Sequence, residues 1–267
     1  SPTCYSEAAM TENDPATLPE TALITGAAHR IGRAMALDLA DAGWRVAVHY
    51  NGSRTAAEAL VAEITAKGGR AAAVQADLAD ENATENLIPA AISALGPVTL
   101  LVNNASLFEL DMPDTVTRDS WDAHMEINLR APFVLTQTFA GYLPDGAVGN
   151  VINIVDQRVM NLRGDFTSYT LSKYGLWGLT QMLARALSPQ IRVNAIGPGP
   201  TLPSPRQTDD QFAAQWQATP LGRPVSLRDI CRALRFILDA PAFTGQIIAL
   251  DSGQHMGAAW DNAPAPE

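Results

Sequence analysis

Seven short apolar runs separated by stretches of helical periodicity constrain this chain more than any other feature. The runs are Thr21–Thr25, Arg45–Tyr50, Ala71–Gln75, Val98–Asn103, Val148–Val155, Ile191–Ala195 and Gln246–Leu250. Helical patterns cover Ile31–Ala42, Thr55–Lys67, Glu81–Leu95, Arg118–Leu143, Ser168–Leu187 and Ser226–Leu238, with a shorter one near Asp209–Gln217. A helix between two strands carries the chain back to the same end of a sheet, so alternation of this kind gives parallel strands joined by helical crossovers. The expected fold is α/β and doubly wound: a seven-stranded parallel sheet with helices on both faces. One domain is expected at 21–257. The ends, 1–20 and 258–267, are rich in Ala, Pro, Asn, Asp and Glu and read as tails.

Composition narrows the partners. With 267 residues, 47% of them apolar, the chain can bury the core of one large domain. A formal charge of −10 argues against nucleic acid or an anionic membrane as a partner. Cys4 and Cys231 give no disulfide framework, which suits a reducing cytosol. His29, His49, His124 and His255 lack ligand spacing, and no metal is expected. No run approaches the roughly 18 apolar residues that span a bilayer, and residues 1–20 lack the basic and apolar regions of a signal peptide. The expectation is a cytoplasmic protein with no membrane partner.

The first run leads into Thr25-Gly-Ala-Ala-His-Arg-Ile-Gly32 and then a helix. Glycines let backbone approach a phosphate and a helix N-terminus attracts its charge, so this crossover reads as a dinucleotide site. Arg30 replaces the middle glycine of the usual fingerprint and reads as a pyrophosphate clamp. About 20 residues on, an acidic side chain would hold the ribose hydroxyls of NAD. The second run instead ends in His49-Tyr-Asn-Gly-Ser-Arg54, with no carboxylate. His49, Asn51, Ser53 and Arg54, with Tyr50 in the same segment, are then available to a 2′-phosphate, which points to NADP(H). A polar loop with a chance arginine is the plainer alternative.

Tyr169 and Lys173, four residues apart in a helical segment, share one face roughly 6 Å apart along the axis. An ammonium so placed stabilises a phenolate. Each unit by which a tyrosine pKa falls from about 10 is worth about 1.36 kcal/mol and brings its proton closer to use at neutrality. Many surface helices carry Tyr and Lys at this spacing, so the pair alone decides nothing. Thirteen residues before the tyrosine, where its usual hydroxyl partner would stand, is Asp156.

Taken in order, these segments resemble the short-chain dehydrogenase/reductase family over nearly all of Thr21–Gly257. The carriers are Thr25–Gly32, Asp77-Leu78, Asn103-Asn-Ala105, Asn128 in Ile-Asn-Leu-Arg-Ala-Pro132, and Tyr169/Lys173 followed by Pro198-Gly199. The resemblance implies a single Rossmann-like domain binding NADP(H). In it Gly26, Arg30, Ile31 and Gly32 line the phosphates, and Asp77 beside Leu78 accepts from the adenine amine. Asn104 supports the central turn while Ala105 and Ser106 carry the cofactor, Lys173 holds the nicotinamide ribose, and Pro198, Gly199 and Thr201 meet the nicotinamide. It implies Asp156, Tyr169, Lys173 and Asn128 as catalytic residues, with Asn128 holding a water that links Lys173 to solvent. It also implies a homotetramer formed through the long helices.

The departures within the family resemble its pteridine reductases and their bacterial dihydropterin or alternative dihydrofolate reductase relatives. Arg30, the Ser106 and Phe108 of Asn-Asn-Ala-Ser-X-Phe, the pair Asp156/Tyr169 and Asp251-Ser-Gly-Gln-His255 carry that likeness. Phe108 is then implied to stack a flat heteroaromatic ring against the nicotinamide, with Ser106 and Arg30 bonding the ring or the phosphates; core packing accounts for Phe108 equally well. Ketone reduction builds negative charge on oxygen, which a carboxylate hinders, whereas a pterin offers N–H donors to Asp156. The expected reaction is hydride transfer to the C=N carbon of a 7,8-dihydropterin, with protonation through Tyr169, Asp156 and water and with Lys173 lowering the tyrosine pKa. Dihydrobiopterin, dihydromonapterin and dihydrofolate are the candidate substrates. Residues 200–224, with Pro200, Pro203, Pro205, Asp209, Asp210, Phe212 and Trp216, are expected to cover the substrate as a lid. The C-terminal tail lacks the basic residue some pteridine reductases lend to a neighbouring subunit. Two other readings stay open: a carbonyl or 3-oxoacyl reductase, and an NADP(H)-binding module without turnover.

Overall fold

The computed structural model describes residues 20–204 and 206–257; the expected tails, apart from Glu20, and Pro205 lie outside the described residues, as does Cys4. Seven parallel strands form one sheet: β1 (Thr21–Ile24), β2 (Arg45–Tyr50), β3 (Arg70–Gln75), β4 (Leu100–Asn103), β5 (Gly149–Ile154), β6 (Ile191–Pro198) and β7 (Ile247–Leu250). Their order is β3-β2-β1-β4-β5-β6-β7. The order reverses between β1 and β4, so the crossovers leave in opposite directions and open a crevice at the carboxyl ends of these two strands.

Alternate strand residues feed two cores. Ala22, Ile24, Val46, Val48, Leu100 and Val102 pack against α1 (Arg30–Asp41), α2 (Arg54–Ala66) and α9 (Leu227–Asp239). Leu23, Ala47, Leu101, Val151 and Val193 face α4 (Leu87–Leu95), α6 (Ala131–Tyr142) and α7 (Thr167–Ala186). Covering both faces explains why the strands are mostly apolar on both sides. Ser226 and Asp229 cap α9 reciprocally. At its other end the buried Arg192 guanidinium donates to the Ile237 and Leu238 carbonyls at 2.8 and 3.1 Å, where a cation is favoured by the helix dipole.

Three elements differ from the sequence expectation, each for a local reason. The helix expected over 81–95 is two, α3 (Glu81–Glu85) and α4. Pro89 has no N–H for the Glu85 carbonyl, but in the first turn of α4 it needs none. The helix expected over 118–143 is α5 (Arg118–Met125), a π turn at Glu126–Arg130, and α6. Pro132 cannot donate to the Asn128 carbonyl four residues back, and the ladder widens there. Finally, β6 runs past the expected Ala195 to Pro198 because Gly197 and Pro198 stay in register with Ala249 and Leu250 of β7. Within 200–224 a short helix, α8 (Asp209–Gln217), forms where its pattern lies, capped by Thr208.

Candidate active site

The glycine turn is built to let two backbones touch. Gly26 has φ +62°, the left-handed region, and a Cβ there would lie 3.0 Å from the Ala105 Cα. At Gly32 a Cβ would sit 2.5 Å from the Gly26 carbonyl oxygen and 2.6 Å from Asn104 Nδ2. Asn104 crosses from the end of β4 and donates to the Thr25 and Gly26 carbonyls at 2.8 and 3.2 Å. The Thr25 hydroxyl accepts from the backbone N–H of both Asn104 and Ala105 at 2.9 Å. Thr25 thus joins β1 to β4 at the switch point, a role that sequence reasoning did not assign to it although it begins the motif. Ile31 packs against the core. Arg30 has φ +53°, the conformation a glycine would take at this fingerprint position. An L-residue there costs about 1–2 kcal/mol, and its guanidinium reaches across to donate to the Leu202 and Pro203 carbonyls at 3.2 and 2.9 Å.

Two residues expected at the 2′-phosphate are elsewhere. His49 is 2% exposed. Its Nδ1 accepts from the Gly26 N–H at 3.0 Å, which places the proton on Nε2, and Nε2 bonds the Ala76 carbonyl at 3.1 Å. Burial pulls its pKa down to about 4, so the ring is neutral, with both nitrogens used as a strut under the glycine turn. The Tyr50 ring lies in the core. Neither side chain is free to meet a phosphate. Asn51, Ser53 and Arg54 do stand together at the open end of β2, leading into α2; the Arg54 side chain is 70% exposed and 3.6 Å from Glu58. Asp77 is exposed and accepts from the Ala79 N–H at 3.0 Å, while Leu78 is buried beside it. On the far side of the crevice Gly199 lies so close to β7 that a Cβ would come within 2.6 Å of the Asp251 Cα, and Thr201 donates to the Gly199 carbonyl at 3.0 Å. Pro198, buried, ends β6 next to it.

Asp156, Tyr169 and Lys173 are brought together. The Tyr169 hydroxyl donates to Asp156 Oδ2 at 2.8 Å, and Asp156 Oδ1 accepts from the Arg158 N–H at 2.8 Å. Lys173 is 2% exposed, donates to the Ile154 carbonyl at 2.8 Å and lies 5.9 Å from the tyrosine ring centroid. Burial brings the Lys173 pKa down to about 8, opposed by the Asp156 charge. The tyrosine corrects an expectation: burial and then the adjacent carboxylate push its pKa well above the ordinary value, and the lysine does not lower it. Burial raises Asp156 too, against the bonds from Arg158 and Tyr169. A proton is therefore retained on this pair.

Asn128, wholly buried in the π turn, has its side chain saturated. Its oxygen accepts from the Leu107 N–H at 2.8 Å and the Ser106 hydroxyl at 3.2 Å, and its nitrogen donates to the Leu107 carbonyl at 2.9 Å and Ser172 Oγ at 3.0 Å. It fixes the loop after β4 against α7, and a water on Asn128 is left only the main chain as its partner. Phe108, at the end of that loop, stacks on Phe166 with centroids 4.5 Å apart and planes 8° from parallel, and meets Tyr169 edge-on at 4.7 Å. One face of Phe108 is thus occupied by protein. Arg158 covers the other side of Phe166 at 5.0 Å and is held by Asp165 at 2.7 Å. Phe166 has φ +53°, a left-handed conformation that no sequence signal announced. Arg206, within residues 200–224 and likewise missed, bonds the Phe108 carbonyl and pairs with Glu109.

A crevice of this kind, with glycines packed for backbone approach on one side and a buried Tyr–Lys pair on the other, belongs to a dinucleotide-dependent oxidoreductase. The model of the family described as short chain dehydrogenase matches residues 20–213, and the chain belongs to that family. Among solved structures, FolM alternative dihydrofolate reductase 1 from Brucella suis, in complex with NADP, is 44% identical with a TM-score of 0.88, over 92% of this chain and 98% of that one. Its counterpart from Brucella canis is 43% identical with a TM-score of 0.86, over 93% and 98%. A 3-oxoacyl-[acyl-carrier-protein] reductase of Synechocystis is 33% identical over 242 residues, 89% of this chain and 97% of that protein. Among the described residues no helix is long and apolar enough to cross a membrane, and no group of three or more His, Cys, Asp or Glu is placed to hold a metal. Cys231 is a buried free thiol whose pKa burial raises to about 11.

Proposed function

We propose that the protein is an NADPH-dependent reductase acting on the C=N bond of 7,8-dihydropterins and giving their tetrahydro forms. The observation that carries this reading is the 2.8 Å bond between Tyr169 and Asp156 beside the Phe108 ring. The cofactor fits the chain: the Gly26/Gly32 cradle has no room for a Cβ, and the end of β2 offers Asn51, Ser53 and Arg54 and no acid. The NADP bound by the Brucella proteins, and their description as dihydrofolate reductases, support the same choice.

When bound, NADPH supplies the hydride. The protein's own residues supply position and a proton. Lys173, anchored on the Ile154 carbonyl, presents its remaining N–H donors to a ribose hydroxyl. Tyr169, kept a neutral phenol, holds its proton against Asp156 until a ring nitrogen becomes basic enough to take it. Asp156, with one oxygen fixed by the Arg158 N–H, keeps its carboxyl aimed where a pterin presents amino and ring N–H donors. Phe108, backed by Phe166 and Arg158, offers a flat apolar surface for the heterocycle. Tetramer formation through α6 and α7 belongs to this reading, and the exposed Tyr142, Leu171, Tyr174 and Met182 on those helices support it.

A second reading, reduction of a ketone or 3-oxoacyl group, is favoured by the 3-oxoacyl reductase relatives. Asp156→Ser separates the two: pterin turnover collapses if the carboxyl takes part, and a variant that keeps its pterin rate sinks the pterin assignment.

A further inference from the structure

We propose that Arg206 forms a subsite for an anionic tail, so that the enzyme prefers a dihydropterin carrying a carboxylate-bearing substituent over the bare bicyclic ring. This rests on the reductase reading above and names the substrate class within it. Arg206 belongs to the lid, yet its guanidinium bonds the main-chain carbonyl of Phe108, whose ring meets the edge of Tyr169 at 4.7 Å. A cation is thus fixed on the main chain of the same residue whose ring meets the proton donor. Its side chain is 50% exposed. Its remaining N–H groups have no partner among the described residues, and a guanidinium fork matches a carboxylate.

What it holds now is a carboxylate. Glu109, 54% exposed, pairs with Arg206, and a tail carboxylate would displace it there. Exposed pairs of this kind are weakly held and exchange readily. Charge argues the same way: a chain of formal charge −10 repels an anionic substrate, and a local cation offsets that repulsion. Arg30, reaching the Leu202 and Pro203 carbonyls, sets a second guanidinium on the same stretch of lid.

The test compares 7,8-dihydrofolate, which carries two tail carboxylates, with 7,8-dihydrobiopterin, which carries none. In Arg206→Ala the ratio of kcat/KM for dihydrofolate to that for dihydrobiopterin falls on the order of tenfold, chiefly through KM. Arg206→Lys recovers part of it, and Glu109→Gln moves the ratio upward. Added salt raises the wild-type KM for dihydrofolate and leaves that for dihydrobiopterin in place. An unchanged ratio, whether both activities stay or both fall together, overturns the proposal, since an arginine that only fastens the lid acts on both substrates alike. Wild-type enzyme that reduces neither compound but reduces ketones overturns the underlying reading, and the subsite with it.

Discussion

At the residue scale, Asp156 and His49 show how much depends on what surrounds a side chain. A carboxyl at the tyrosine's usual hydroxyl position is visible in the sequence, and its bond to Tyr169 follows from the spacing of two successive elements, β5 and α7. Its consequence for the tyrosine was not visible, because the balance between the Lys173 and Asp156 charges depends on distance and burial. Asp156→Ser is expected to lower kcat for dihydropterin reduction about 10²–10⁴-fold with little effect on NADPH affinity, read by steady-state kinetics and cofactor titration. Lys173 must keep its charge to hold the ribose, and its pKa near 8 gives kcat/KM a fall above about pH 8 in a pH–rate profile.

His49 was misread from sequence as a phosphate ligand, since a histidine at the end of a strand looks the same whether it points out or in. Its folded pKa of about 4 lies below the ordinary 6.5, so the unfolded chain binds the extra proton more readily. Its contribution to stability is complete above about pH 6.5 and is lost as pH falls toward 4, at most about 3 kcal/mol. Unfolding by denaturant across that range should show the loss, and His49→Gln, which does not titrate, should flatten it.

At the scale of elements, strand and helix positions were largely legible, and the exceptions trace to proline. Pro89 and Pro132 lie inside the expected helices 81–95 and 118–143, but each breaks the ladder at a defined carbonyl, and the second break opens the π turn that seats Asn128. The left-handed Phe166 at the start of α7 was illegible because tertiary stacking on Phe108 and Arg158 holds it there. The glycine turn makes the sharper test. Gly32→Ala puts a methyl 2.5 Å from the Gly26 oxygen and 2.6 Å from Asn104 Nδ2, so the turn and β4 must separate. NADPH affinity, followed by fluorescence, should fall at least tenfold while the fold, held by the two cores, survives in circular dichroism.

For the whole molecule, alternation of strands and helices was enough to give the parallel sheet, and the strand order β3-β2-β1-β4-β5-β6-β7 puts the motif residues of six separate crossovers around one crevice. The contacts of residues 200–224 were not legible, because α8 has no buried residue whose apolar pattern could tie it to a surface; the segment is fastened by arginines to main-chain carbonyls, which any sequence offers. The proposed tetramer rests on the exposed apolar residues of α6 and α7, and light scattering is expected to give four times 28.4 kDa. The most direct test of the account follows NADPH oxidation at 340 nm by the purified protein, with 7,8-dihydrobiopterin, dihydromonapterin and dihydrofolate set against a panel of ketones and a 3-oxoacyl thioester. Turnover of dihydropterins with inert ketones is the predicted result. Ketone or thioester turnover with inert pterins would contradict the role given to Asp156 and leave only the fold and the dinucleotide site.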